Sequence, residues 1–397
     1  MRSSRERFHV AADALGVALV ALYLAVFVAR NVGLQWDLKM CLLAAHAARV
    51  GLDPYRIEDL AAVAGRGAAF PFLYPPVSLL PFAALALLPL TVAAAWWIGL
   101  KSALLAGLTV AWRRWFAPRG ALLPLALLAV FGWNAAALWD LRAGNVALVE
   151  TALLWAGFGC FVAGRRGAFA ALVVAAACFK LVPAAFLLLL LVPTGGHRPA
   201  PGRLLAALAA LALVAWGPLL VGPAARWRGF LEHVPDAATL GEANPSGLAL
   251  AHALAGAAHL SAPATARLAV ALWVAFALAL AALSLPFLRA TWRARDARRW
   301  VMAAVLLELL LEPRPMAYGF VRLAPAPLFF SPAPFHRPAG RLLLALALAA
   351  QGLARAASLQ VDSPAVTFAP FLLTLAVWLL VARGGGRTDP APSAIGA

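Results

Sequence analysis

Long apolar stretches recur from one end of the chain to the other, separated by short loops that carry most of its charge. A helix needs about 20 apolar residues to cross a bilayer, and fewer where it is short or re-entrant. The pattern predicts apolar segments at 10–30, 71–89, 91–112, 120–139, 145–163, 168–193, 203–222, 263–288, 299–312, 317–331, 341–358 and 365–382. The predicted fold class is therefore an all-α polytopic membrane protein with about 10–12 transmembrane helices. Two longer loops, at about 31–70 and 223–262, interrupt the pattern.

Two stretches do not fit simple crossings. The loop at 31–70 and the one at 113–119 carry opposite charge character, yet two apolar segments lie between them. Phe70-Pro71-Phe72-Leu73-Tyr74-Pro75-Pro76 points to 71–89 as a segment that dips in and returns. The 168–193 stretch has basic flanks on both sides, so it reads as two short helices meeting near Lys180-Leu181-Val182-Pro183. Residues 37–50 place Leu38, Cys41, Leu42, Ala45 and Ala48 at helical spacing, which predicts an interfacial helix.

Charge changes the picture by setting orientation. The net charge of +17 on 397 residues would suit nucleic acid if it were clustered. Instead the arginines fall in short loops, among them Arg2, Arg5 and Arg7, Arg113 and Arg114, Arg165 and Arg166, and Arg383 and Arg387. That is the positive-inside pattern, and no nucleic-acid partner is expected. Asp37, Asp53, Glu58, Asp59, Glu232, Asp236 and Glu242 cluster in the alternate loops, which reads as the exoplasmic face. Both termini are then cytoplasmic. The expected organisation is one integral-membrane domain over 1–383 and a disordered tail at 384–397, rich in Gly and Pro. Cys41, Cys160 and Cys178 show neither pairing nor metal spacing.

Candidate chemistry starts with Asp37, a carboxylate just beyond the first span. Within spans, an ionisable group costs about 2.5–3.5 kcal/mol on insertion scales, so it faces a cavity or a partner. Glu150, Lys180, Glu308 and Asp140 stand out in this way. Lys180 reads either as half of a buried pair with a carboxylate or as a cation facing a lipid phosphate. Gly144-Asn145 opens a span, where helix-start amides with Arg142 could hold an anion. Arg314, in Glu312-Pro313-Arg314-Pro315, is a second candidate phosphate clamp or the partner of Glu312. Asn244-Pro245-Ser246 reads as a sugar contact or a simple turn. Phosphate-loop, nucleophile-elbow and His-rich metal motifs are absent from the sequence.

In chain order these pieces resemble glycosyltransferase family 87, polyprenol-phosphate-sugar-dependent enzymes of the GT-C fold that include α-mannosyltransferases. The matching pieces are Trp36-Asp37-Leu38, Gly51-Leu52-Asp53-Pro54-Tyr55, Tyr74-Pro75-Pro76, Gly144-Asn145, Lys180-x-x-Pro183 and Asn244-Pro245-Ser246. The chain departs from the family at Gly144-Asn145-Val146-Ala147, where Gly-Gln-x-Asn is common, and in a late loop without histidine.

The resemblance implies a hexosyltransferase of the bacterial inner membrane with an exoplasmic site. It would move mannose from a polyprenyl-phosphate donor to a glycolipid or glycan acceptor of the cell envelope, with inversion. Asp37 would be the base. Lys180, Arg142 and Arg314 would hold the donor phosphate. Tyr74, Asn145, Glu242, Asn244 and Tyr318 would hold sugar or acceptor. Such a site requires no cofactor, although Asp37 with Asp140 or Glu242 could hold a divalent metal. The competing readings are a transporter or flippase for a lipid-linked sugar, which predicts inverted repeats that the sequence does not display, and the same chemistry with another prenyl-linked sugar such as arabinose or glucose.

Overall fold

A computed structural model of the chain describes residues 4–65, 72–117, 122–221, 228–232, 244–331, 335–357 and 364–383. Those residues form helices and no strand. Six helices are long and apolar enough to cross a membrane, and six shorter apolar segments pack among them. The molecule is thus an all-α polytopic membrane protein, as the pattern predicts. The expected tail at 384–397 and Glu242 lie outside the described residues.

The first helix, α1 (Ser4–Asn31), carries an uncharged, apolar stretch from Ala14 to Ala29. It leaves Leu15, Leu19 and Leu22 exposed, as a lipid-facing helix should. Helices α2 (Trp36–Arg49), α3 (Ile57–Ala64) and α4 (Leu79–Leu85) follow, all too short to span. Among the described residues of the 71–89 stretch, α4 and the 3-10 turn at Pro76–Ser78 are the helical pieces, and together they are too short to cross. Pro75 and Pro76 start the turn, since proline has its φ preset and needs no donor at a helix start. The predicted helix at 37–50 exists as α2. It buries Asp37, Leu38, Met40, Cys41, Leu42, Ala44, Ala45 and Ala47 inside the protein. Its small residues allow neighbouring elements to approach closely.

Helices α5 (Leu90–Trp115) and α6 (Leu122–Ala143) are spanning length. Helix α6 is almost wholly buried and is broken at Gly132–Ala135, where Trp133, Asn134 and Ala135 take left-handed φ of 48°, 61° and 59°. Gly352 makes room for this break. A Cβ on it would come within 2.0 Å of the Phe131 carbonyl oxygen. Then come α7 (Ala147–Val162), α8 (Arg166–Ala177) and a 3-10 segment, Val182–Leu191. The 168–193 stretch is therefore two short pieces with Lys180 between them, as its sequence predicts. Arg166 ties the second piece down with hydrogen bonds to the carbonyls of Leu190, Val192 and Arg198 and to Thr194 Oγ1, at 2.9–3.2 Å.

The remaining helices are α9 (Pro201–Val221), α10 (Gly247–Gly256), α11 (Ala262–Ala294), α12 (Ala297–Leu311), α13 (Ala326–Phe329), α14 (Pro338–Ala356) and α15 (Pro364–Arg383). The expected span at 317–331 is corrected: it is a 3-10 segment, Ala317–Leu323, followed by the single turn of α13. Pro325 and Pro327 cannot donate hydrogen bonds within a continuous helix.

Two large apolar clusters result, and a small third one joins α10 to α11 through Ala251, Ala255 and Ala269. The first unites α6, α7, α8, α12 and the Ala317–Leu323 segment. The second unites α2, α4 and the start of α5 with Tyr55, Phe72 and Phe230. Leu141 and Leu148 belong to the first and Val146 to the second, so the Gly144–Asn145 turn lies at their junction.

Candidate active site

Asp37 sits in the first turn of α2 at that junction, outside the six spanning helices, with 8% of its surface exposed. Asn145 Nδ2 donates to Asp37 Oδ2 at 2.6 Å and to the Tyr74 hydroxyl at 2.7 Å. The Tyr318 hydroxyl reaches the same Asp37 oxygen at 3.5 Å. Both contacts fall on Oδ2, and among the described residues no hydrogen bond is made to Oδ1. Burial pushes the Asp37 carboxyl above its usual range, while Asn145, Lys101, Lys180 and Tyr318 pull it back.

The orientation of Asn145 is fixed by its own backbone neighbourhood. Its Oδ1 accepts the Ala147 N–H at 3.1 Å, a cap at the start of α7, so its NH₂ must face Asp37. Both amide hydrogens are then taken. Asn145 is also 2% exposed, and it holds Asp37 and Tyr74 with its two N–H groups.

Gly144 makes the turn possible. Its φ is +76°, and a Cβ there would meet Leu38 Cβ at 2.9 Å and Gln35 Cβ at 3.0 Å. Its carbonyl accepts from Trp97 Nε1 at 2.8 Å. Gln35, fully buried just ahead of α2, has a left-handed φ of 28°. It binds the Arg142 carbonyl through its own N–H at 3.1 Å and the Ala94 carbonyl through Nε2 at 3.2 Å.

Tyr74 is carried by a second chain of contacts. Its carbonyl accepts from the Tyr55 hydroxyl at 2.8 Å. Asp53 Oδ1 accepts the Tyr55 N–H at 2.9 Å, and Asp59 Oδ2 accepts the Asp53 N–H at 2.9 Å. The Gly51–Tyr55 segment thus holds Tyr74 in place.

Behind Tyr318 lies a buried charged group. Arg322 bridges Glu150 and Glu308, at 2.9 Å each. Lys180 Nζ is 3.7 Å from Glu150 Oε2 and 5.5 Å above the Tyr318 ring. Lys180 is thus weakly paired with a carboxylate, and it also faces the tyrosine that touches Asp37. Arg314 is half-buried four positions ahead of Tyr318, near enough for its charge to act on Tyr318 and Tyr74.

Arg142 is not brought to the site. Its side chain is exposed and lies over Trp139, 5.7 Å from the ring centroid, with Arg355 on the same ring at 4.7 Å. Asn244 is buried ahead of α10, whose cap is Ser246 Oγ accepting from Ala249 N at 2.9 Å. That is the turn reading, and no described contact joins Asn244 to Asp37. Asp140 is not available to share a metal with Asp37. Its Oδ1 pairs with Lys101 Nζ at 2.8 Å, and its Oδ2 accepts the Leu148 N–H at 3.1 Å.

The sequence reading missed Lys101 and Arg322. Lys101 is a lysine inside an apolar span, the same signal that singled out Lys180. Arg322 stands in Gly319-Phe320-Val321-Arg322-Leu323, another cation in an apolar run.

No curated protein and no solved structure matches the chain. The family model of glycosyltransferase family 87 matches residues 72–313, more than half of the sequence. The match includes Tyr74, Lys101, Asp140, Asn145, Glu150 and Lys180, while Asp37, Arg314 and Tyr318 flank it. With a buried carboxylate beside cations in a helical membrane protein, the chain belongs to glycosyltransferase family 87 and is a membrane glycosyltransferase.

Proposed function

We propose that the protein transfers a hexose, mannose, from a polyprenyl-phosphate donor to a glycolipid or glycan acceptor of the cell envelope, on the exoplasmic face of the inner membrane. The observation that carries this reading is the pairing of Asp37, whose Oδ1 accepts no hydrogen bond among the described residues, with Lys180 and Arg314 around Tyr318. A base and nearby cations are what an inverting displacement of a phosphate requires.

In the step itself, an acceptor hydroxyl oxygen attacks the anomeric carbon. The bond from that carbon to the phosphate oxygen breaks, and prenyl phosphate leaves with the electron pair. The hydroxyl proton passes to Asp37 Oδ1. One displacement inverts the centre, so a β-linked donor gives an α-glycoside. Lys180 and Arg314 stabilise the charge that develops on the leaving phosphate. Tyr74, whose oxygen accepts from Asn145, keeps its own O–H to donate to a sugar oxygen.

The test is a donor panel with the purified protein in liposomes. Polyprenyl-phosphate mannose, its glucose analogue and a nucleotide-linked mannose are each supplied with an envelope lipid and glycan extract. Transfer from the prenyl-phosphate mannose alone is expected. Transfer from the nucleotide sugar in the absence of a prenyl-linked one contradicts the reading.

A further inference from the structure

Lys101 and Asp140 are both fully buried, on α5 and α6, and no described hydrogen bond or ion pair joins either of them to Asp37. Lys101 Nζ binds Asp140 twice, at Oδ1 (2.8 Å) and at the backbone carbonyl (2.6 Å). That carbonyl also accepts the N–H of Gly144 at 2.9 Å and of Asn145 at 3.3 Å. The other carboxylate oxygen accepts the Leu148 N–H in the first turn of α7. One aspartate therefore fastens both ends of the turn that carries Asn145, and one lysine fastens that aspartate.

A buried ion pair is weak evidence for stability, because desolvation offsets most of the attraction. A fully buried pair in a membrane span therefore asks for a functional reason. We infer that Lys101 and Asp140 form a positioning unit that acts on Asp37 through Asn145. The pair sets the Gly144–Asn145 turn, and Asn145 then holds Oδ2 so that Oδ1 faces the acceptor. The inference rests on Asp37 being the base proposed above.

Several groups face Asp37: Cys41 from its own helix, Tyr74, Lys101 from α5, Lys180, and Tyr318. Asp140 stands behind Lys101. A test must therefore separate geometry from direct charge effects. A direct charge effect of losing Lys101 would add to that of Asn145→Ala, whereas an effect relayed through the turn would not.

The experiment is an infrared titration of the Asp37 carboxyl in the full-length protein in liposomes, with the band assigned by its loss in Asp37→Asn. Asn145→Ala, the pair variant Lys101→Met with Asp140→Asn, and all three changes together complete the cycle. Asn145→Ala is expected to raise the midpoint by about one pH unit, because a donor that favours the ionised form is lost. The pair variant is expected to raise it comparably, and the triple variant no further than Asn145→Ala. An unmoved midpoint in the pair variant, or additive shifts in the triple variant, overturns the inference. Should the pair variant not fold, Asp140→Asn alone serves in the same cycle. Sugar transfer in the same liposomes separates this claim from the previous one. Coupling without transfer contradicts the donor chemistry, and transfer without coupling contradicts the positioning unit.

Discussion

Asn145 turns its amide nitrogen to Asp37 because its oxygen already accepts the Ala147 N–H. One side chain therefore starts α7 and fixes the carboxylate of α2, 108 positions earlier in the chain. The fold and the proposed base are coupled through a single amide.

Losing that amide should change the pH response. Asp37 must be ionised to act as a base, so transfer is present above its pKa and falls away as pH drops through it. Burial holds that pKa above the ordinary carboxylate range, and the Asn145 hydrogen bond opposes the rise. In Asn145→Ala the acidic limb of kcat/KM should move to higher pH. A limb that stays in place would separate Asn145 from the base.

Gly144 tolerates no side chain. Its φ of +76° costs an alanine about 1–2 kcal/mol, and the added Cβ would press on Leu38 and Gln35. Gly144→Ala should lower the thermal midpoint in detergent and reduce transfer together. Unchanged stability would mean that the turn does not have this conformation.

Cations near the site should separate from the one that is not. Lys180→Ala and Arg314→Ala are expected to raise the donor KM about tenfold, the scale of one charged hydrogen bond. Arg142→Ala should stay within about twofold of wild type, since that guanidinium lies on Trp139. Steady-state kinetics with a lipid-linked donor distinguishes them.

Arg322 is expected to act on stability first. Arg322→Met leaves Glu150 and Glu308 buried without their shared partner, at a cost of about 3–5 kcal/mol. Denaturant or thermal unfolding of the purified protein checks this, and a neutral result would contradict the buried bridge.

Much of the fold was legible in the sequence because membrane helices announce themselves by length and apolarity. The two exceptions, at Pro75-Pro76 and around Lys180, were legible because proline and charge punctuate them. Asp37 was legible as a carboxylate at the mouth of the first span. The buried pair behind it was not. Lys101 and Asp140 lie 39 positions apart, and only the packing of α5 on α6 makes them partners. Arg142 and Asn145 belong to one turn, yet Gly144 between them sends one outward and the other inward. The 317–331 stretch is apolar enough to suggest a span, but its prolines and its buried Arg322 make it part of the core. Side-chain direction of this kind depends on backbone conformation that composition does not encode.

The central claim is that Asp37 accepts the proton in sugar transfer. The most direct measurement compares wild type with Asp37→Asn in liposomes, using radiolabelled polyprenyl-phosphate mannose and an envelope extract. A fall in transfer of about 10²- to 10⁴-fold in the variant, with the protein still folded, is the predicted result. Equal transfer by both proteins would contradict it.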